Sequence, residues 1–321
     1  MIKFGYTLSS EEHGPRTLVD NARLAEDAGF DFVSISDHFH PWIEAQGHSP
    51  FVWSVLGGIA CTTSHIDVGI GVSCPTTRMH PALIAHASAT VAQMFGDRFF
   101  LGVGTGEALN EHVLGHRWPR HDIRLKMLEE AVTVIRELWK GETVNFDGRY
   151  YRVENARIFD APGRRVPIIV SGFGEQTVEL AAKIGDGLWG HGTDPTPNER
   201  YAAAGGQGPR YAQLSLCWGQ DAEQARKTVL KYWPVGGVGG QLMQDLPTFR
   251  HFEQAVESIS EEQALKDTPC GPDVEAVVRS VEQYVDAGFD HLYFHQIGPD
   301  QHGFIDFWSE ELRPALSRFT M

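Results

Sequence analysis

A chain of 321 residues fits one large barrel or two smaller domains, and its composition is that of an ordinary globular protein. A formal net charge of −15 argues against nucleic acid and anionic membrane surfaces as partners, so an anionic ligand must be held by local donors. Nothing approaches the ~20-residue apolar run of a membrane span. The N-terminus lacks an apolar signal core, and dispersed Cys61, Cys74, Cys217 and Cys270 suggest neither a disulfide framework nor a metal site, so a cytoplasmic protein without metal is expected.

The first strand is expected near residues 3–8. A helix over 15–28 follows, with Pro15 in its first turn and Leu18, Ala22 and Ala25 on one stripe. AEDAGFDFVSIS (25–36) then shows a pattern that recurs in MFGDRFFLGVG (94–104), KIGDGLWG (183–190) and VDAGFDHLYFHQ (285–296). A helix stops at Gly29, Gly96, Gly185 or Gly288, where glycine can adopt the left-handed conformation. An aspartate suits the turn, and a nearly all-apolar strand follows, as in parallel sheets covered on both faces. Strands are expected near 31–36, 66–72, 98–104, 167–171, 186–190, 211–218 and 290–295, and a helix over 122–139 places Leu128, Ala131, Val132, Ile135 and Leu138 on one stripe.

Eight strands alternating with helices favour a closed (β/α)₈ TIM barrel over an open doubly wound sheet. One domain over 1–321 carries insertions near 40–50, 140–160 and 233–270. The first is a polar loop. The second contains VNFDGRYYRVEN, a hairpin with an Asp-Gly turn. The third runs from VGGVGG into a helical stretch. Loops after barrel strands build active sites.

SDHFHPW (36–42) follows the second strand and offers Asp37, His38 and Trp42. A polar loop anchored by a buried Trp42 is the bland reading, but its position favours a site. The spacing suits no metal. GVSCPTTR (71–78) is a strand end with a proline turn, and its Cys74 reads as a small core residue. GVGTGEALNE (102–111) has three alternating glycines, through which a ligand could approach the backbone, with Thr105, Glu107 and Asn110 where a helix opens. A glycine-rich turn with a first-turn acid explains it equally well, and a Rossmann fingerprint is excluded by the missing acidic partner. SGFGEQT, comprising Ser171, Gly172, Phe173, Gly174, Glu175, Gln176 and Thr177, opens another helix and favours a phosphate cradle over a tight turn.

These loops together resemble F420-dependent oxidoreductases of the luciferase-like superfamily, in particular the glucose-6-phosphate dehydrogenase-like group. FGYTLSSEE, GHSPF and QYVDAGFDHLYFH extend the resemblance over nearly the whole chain. It implies that Asp37, His38 and Trp42 line the deazaflavin and substrate site, with Glu11 near the substrate. It implies that Glu107 supplies a proton at the ring's pyrimidine end, and that Thr105 and Asn110 hold the coenzyme. Gly71, Val72 and Ser73 would form a bulge behind the ring with a non-prolyl cis peptide, and Ser171 to Thr177 would bind the coenzyme's phosphate. A homodimer is also implied.

The chain departs from that pattern at the sugar-phosphate site. Asp194 and Gln254 stand where two lysines surround the phosphate, and Ser280, with Arg279 adjacent, stands near a third basic position. Hydride transfer between F420 and an alcohol, sugar or carbonyl, other than glucose 6-phosphate, is therefore the expected activity. His38 is the expected base and Glu11 the alternative. Arg210, Lys231 and Arg250 are the cations that could supply a phosphate site instead. An FMN-dependent luciferase-like monooxygenase and a non-catalytic cofactor-binding relative are the rival readings.

Overall fold

A computed structural model describes residues 1–320. Ten strands form: β1 (Lys3–Leu8), β2 (Phe32–Ile35), β3 (Asp67–Ser73), β4 (Phe99–Val103), β5 (Val144–Asp147), β6 (Arg152–Ala156), β7 (Ile168–Ser171), β8 (Gly187–Gly190), β9 (Arg210–Leu216) and β10 (His291–Gln296). Eight of them close a parallel barrel in the order β1-β10-β9-β8-β7-β4-β3-β2, with β1 pairing both β10 and β2. The helices are α1 (Pro15–Asp27), α2 (Val52–Thr62), α3 (Pro81–Phe95), α4 (Ala108–Glu111), α5 (His121–Leu138), α6 (Glu175–Ile184), α7 (Thr196–Ala203), α8 (Ala222–Tyr232), α9 (Leu242–Asp245), α10 (Phe249–Val256), α11 (Glu261–Ala264), α12 (Val274–Asp286) and α13 (Gln301–Phe307). Among the described residues no helix is long and apolar enough to cross a membrane.

Strand alternation divides the buried residues into two sets. Outward Tyr6, Val33, Ile70, Leu101, Val170, Leu214 and Phe294 pack under the helices, where the stripes of α1 and α5 meet them. Inward Phe32, Phe100, Ile169, Trp189, Tyr211 and Tyr293 fill the lumen, with Trp189 stacked on Tyr211 at 5.0 Å. The inward positions above them are polar: Ser9, Ser36, Ser171, Ser215 and His295. The barrel is thus closed by aromatics below and opens upward into a hydrophilic mouth.

Strand β3 carries one extra residue against β4, because Ile70 pairs with Leu101 but Ser73 pairs with Val103. The bulge puts Val72 against the lumen cluster, and the Gly71–Val72 peptide is cis, as expected. It also explains the alternating glycines. A Cβ on Gly102 would overlap the Ile70 carbonyl, and one on Gly104 would lie 2.9 Å from Val72 Cγ2. These two glycines make room for the neighbouring strand rather than for a ligand, so the expected approach through them is corrected.

Two turn expectations also change. Gly29, Gly96 and Gly288 have positive φ, but Gly185 is extended at φ −93°, where a Cβ would meet the Ala181 carbonyl at 2.8 Å. Close approach, not handedness, requires that glycine. In the hairpin, Asp147 pairs with Arg152, so the loop has four residues instead of an Asp-Gly pair. The Glu130 carboxylate of α5 organises it by accepting from the N–H groups of Arg149, Tyr150 and Tyr151 at 3.1, 2.9 and 2.7 Å. Tyr151 then donates its hydroxyl to the Pro75 carbonyl at 2.8 Å and braces the loop after β3.

The other insertions cover the mouth. Trp42, Ile43 and Gln46 of the 40–50 loop are buried, and Phe252 of α10 meets Trp42 edge to face at 5.0 Å. Cys217 and Cys270, 53 positions apart in the numbering, are neighbours in a parallel bridge, both as free thiols.

Gly102→Ala is expected to lower stability by about 1–3 kcal/mol, because the methyl group must displace the bulged strand. Urea denaturation reads the change, and an unaltered midpoint at unchanged slope would show that β3 relaxes freely.

Candidate active site

The loops after β1, β2, β3, β4 and β7 carry the expected residues, and all open at the polar end of the barrel. The centre is His38. Its Nε2 lies 3.3 Å from Glu11 Oε1, and its ring meets Trp42 at 4.9 Å. Its Nδ1 faces both Asn110 Nδ2 at 3.1 Å and the His40 carbonyl at 3.2 Å. The Asn110 amide is oriented by its own oxygen, which accepts from the Phe39 and His40 N–H groups at 2.8 and 3.2 Å. Nδ1 therefore sees one donor and one acceptor, and this nitrogen is satisfied with or without a proton, whereas Nε2 faces the Glu11 carboxylate, which can only accept.

Glu11 is buried. Burial alone would raise its carboxyl, but the His38 charge and the Ser36 hydroxyl, donating at 2.6 Å, outweigh it and hold the pKa below the usual carboxylate range. Ser36 was not singled out in the sequence, and neither was Arg78. Arg78 donates to Asp37 Oδ1 at 2.9 Å and to Glu111 Oε1 at 3.4 Å, and Asp37 also accepts from Ser73. Burial opposes all this charge. The two carboxylates keep the guanidinium above its usual range, whereas on Glu111 burial prevails and raises the carboxyl. Glu111 meanwhile accepts from Thr76, Thr77 and the Arg78 N–H, tying the β3 loop to α4. Cys74 is buried and its thiol is pushed well up by burial, consistent with a core residue.

Across the mouth, Thr105 is buried, while Glu107 precedes α4 as its N-cap without a side-chain capping bond. Ser171 ends β7, and Gly174 precedes α6 with open space where a Cβ would stand. Phe173 is exposed and meets His191 at 5.8 Å. Gln176 borders a cavity of about 500 Å³ that Trp118, His121 and Arg124 also line. Glu175 would oppose a phosphate at this helix start, but Arg200 pairs with it. Thr177 is buried, and its hydroxyl lies 3.5 Å from His121 Nε2.

Of the alternative cations, Arg210 lies away from this mouth, and Lys231 and Arg250 are exposed. Arg210 begins β9 at the opposite end of the barrel, where its N–H donates to Asp290. Lys231 is exposed and sits over the Tyr232 ring at 4.6 Å. Arg250 and Gln254 are exposed, and each stands two residues, about 200° of helical turn, from inward-facing Phe252. Asp194 is exposed and starts α7 by accepting from the Thr196 N–H at 2.9 Å. Arg279 is paired with Asp273 at 3.6 Å, and Ser280 bonds back to Ala276 in its own helix.

A family model for luciferase-like monooxygenases matches residues 1–291. The chain belongs to the luciferase-like family. It is 36% identical over 330 aligned residues to an F420-dependent glucose-6-phosphate dehydrogenase of Tsukamurella paurometabola, covering 98% of each chain. It is 35% identical to the enzyme of that name from Mycolicibacterium smegmatis, covering 99% of this chain and 98% of that one. A solved F420-dependent secondary alcohol dehydrogenase, in complex with an F420-acetone adduct, superposes with a TM-score of 0.88 at 27% identity, covering 96% of this chain and 97% of that one. This luciferase-like protein is an F420-dependent oxidoreductase, with coenzyme F420 as its cofactor. The residues present fit that group. The α6 N-terminus has an open Gly174 and a neutralised Glu175, and Glu107 is left without a capping bond.

Arg78→Met should destabilise the fold by about 3–5 kcal/mol, because it leaves the Asp37 and Glu111 carboxylates buried without their cation. Chemical denaturation at neutral pH measures this loss, and a variant as stable as the parent would show that neither carboxylate is charged.

Proposed function

We propose that this luciferase-like enzyme oxidises an uncharged secondary carbinol to the carbonyl compound, or runs the reverse reaction. When bound, coenzyme F420 supplies the two-electron hydride acceptor or donor. As the carbinol carbon loses its hydrogen with both electrons, the hydroxyl proton passes to His38 Nε2. The resulting imidazolium is stabilised by the Glu11 carboxylate 3.3 Å away and by the His40 carbonyl at Nδ1. In reduction the same ring returns the proton. The observation that carries this reading is the setting of the His38 ring, where Nδ1 has a partner with or without its proton and Nε2 faces the Glu11 carboxylate, so that the ring can hold an added proton and release it again.

Trp42, backed by Phe252, shields the reacting oxygen from water. Glu107 holds the proton exchanged on the coenzyme side. The amide N–H groups from Gly172 to Thr177 hold the phosphate at the start of α6, and Asp37, Gly71, Val72, Ser73, Thr105, Asn110 and Ser171 complete the coenzyme wall.

The curated relatives are named for glucose 6-phosphate, and a phosphate leaving water needs charge-assisted donors. Two considerations favour an uncharged substrate instead. Asp194 and Gln254 replace the lysines, and Arg78, the guanidinium beside Asp37 and Glu111, is committed to these two carboxylates.

His38→Ala and Glu107→Gln are each expected to lower kcat by ~10²–10⁴, with F420 binding retained in the His38 variant. Steady-state kinetics and coenzyme fluorescence titration check both. A near-normal kcat for His38→Ala would transfer the role of base to Glu11. For the substrate, kcat/KM should be higher for a neutral sugar or alcohol than for its phosphate ester, by about two to four orders of magnitude for two missing charge-assisted contacts. A preference for the ester, followed at the deazaflavin absorbance, would assign the chain to sugar phosphates.

A further inference from the structure

The barrel order divides the mouth into two halves. β7, β4 and β3 present backbone amides, glycines and the bulge. β9, β10, β1 and β2, consecutive neighbours, present side chains with polar ends. His38 and Glu11 occupy only the β2 and β1 part of this second half. The β10 and β9 part holds a hydrogen-bonded group that proton transfer from a carbinol does not require.

Its centre is His295, an inward residue of β10 that is 1% exposed. His295 Nε2 lies 2.6 Å from Glu12 Oε2, and Glu12 also accepts from the Gly298 N–H at 2.8 Å. Trp233 of the long insertion covers the imidazole edge to face at 4.4 Å. On the other side, Nδ1 is 3.3 Å from both Gln213 Nε2 and Ser215 Oγ, the two inward residues of β9 above Tyr211. Gln213 and Ser215 are half-exposed, whereas outward Ala212, Leu214 and Leu216 are buried. The Gln213 Nε2 also lies 3.2 Å from the Ser215 hydroxyl, so the amide nitrogen is engaged twice. The amide oxygen takes no hydrogen bond among the described residues, and it is left to the open mouth.

This arrangement has a cost unless a ligand completes it. An alcohol with one hydroxyl would give that oxygen to His38 and press hydrocarbon on Gln213 and Ser215, which would lose water without gaining a partner. A substrate with a second hydroxyl on the same carbon framework would satisfy both walls. The wall offers neutral groups facing the mouth, with Glu12 behind them, so a second anionic function is disfavoured and a hydroxyl is favoured.

Resting on the proposed carbinol oxidation, we propose that Gln213 and Ser215, held by the His295–Glu12 pair, form a second subsite that binds an uncharged hydroxyl of the substrate beside the reacting one. The substrate class is then a neutral diol or polyol.

The test compares cyclohexanol with cyclohexane-1,2-diol on the F420-loaded protein, together with Gln213→Leu and, as a milder change, Ser215→Ala. Binding is read independently by tryptophan fluorescence, since Trp233 covers the subsite. The parent should prefer the diol, and each variant should lose about tenfold in kcat/KM for the diol through KM, the size of one or two neutral hydrogen bonds, while kcat/KM for cyclohexanol does not fall and rises where the desolvation cost is removed. Equal losses for both alcohols, or a parent without preference, would overturn the subsite and leave the oxidation standing. If neither alcohol turns over but the diol binds the parent and not the variants, the subsite stands and the carbinol reaction fails. If the diol neither turns over nor binds, the subsite is overturned.

Discussion

One buried guanidinium organises the mouth of this barrel. Arg78 arises from the loop after β3, Asp37 from the loop after β2, and Glu111 from the end of α4. These three segments are far apart in sequence and share no backbone hydrogen bonding beyond their strands. A buried cation between two buried carboxylates forces a common geometry on them, because separation would leave charge unpaired in a medium that cannot solvate it. The residues next to the charges are those of the site. Asp37 precedes His38, and Asn110 precedes Glu111. Once the charges meet, Asn110 is placed to accept from the His40 N–H and to donate to His38 Nδ1. The position of the imidazole therefore follows from electrostatics one residue away.

The strand bulge acts in the same way through packing. With one extra residue in β3, Val72 turns toward the lumen and the chain of β4 must stand close behind it. Only glycine at 102 and 104 tolerates that approach. The hairpin insertion completes the support, since Glu130 fixes its loop and Tyr151 reaches the Pro75 carbonyl. The half of the mouth assigned to the coenzyme is thus built from rigid main chain, whereas the opposite half is built from side chains on β9, β10, β1 and β2.

The barrel was legible in the sequence because its pattern is local. A helix ending in glycine, an aspartate turn and an apolar strand recur four times, and each strand expected from that rhythm forms within two residues of its place at either end. His38, Trp42, Glu11 and Asn110 were also readable, since position after a strand and resemblance both marked them, and they meet in space. What was not readable depends on long-range contact. Arg78 lies in a proline turn with nothing local to mark it, and Trp233, Phe252 and His295 meet the mouth only through the 233–270 insertion and the closure of β10 on β1. A pairing period gave partial signals, because RYAQLSL alternates polar and apolar residues and so announces a strand with one hydrophilic face. The glycines of GVGTG misled for a related reason. Sequence shows that the backbone is bare but not which neighbour needs the space.

The charge of the whole chain and the charge of the site act together. Glu11 and Glu12 are consecutive buried carboxylates, each beside an imidazole, His38 at 3.3 Å and His295 at 2.6 Å. Under the proposed proton transfer, the Glu11 carboxylate is already in place beside the His38 ring and no cation from solvent is needed. The same pair sets up a negative local field on the substrate side, over a surface whose net charge is −15. A phosphate entering this half would meet repulsion at both ranges, with Arg78 already committed to its two carboxylates. A hydroxyl carries no such penalty and exchanges one set of neutral hydrogen bonds for another. Two glutamates in sequence after β1 thus underlie both proposals, His38 as a reversible proton carrier and the preference for an uncharged substrate.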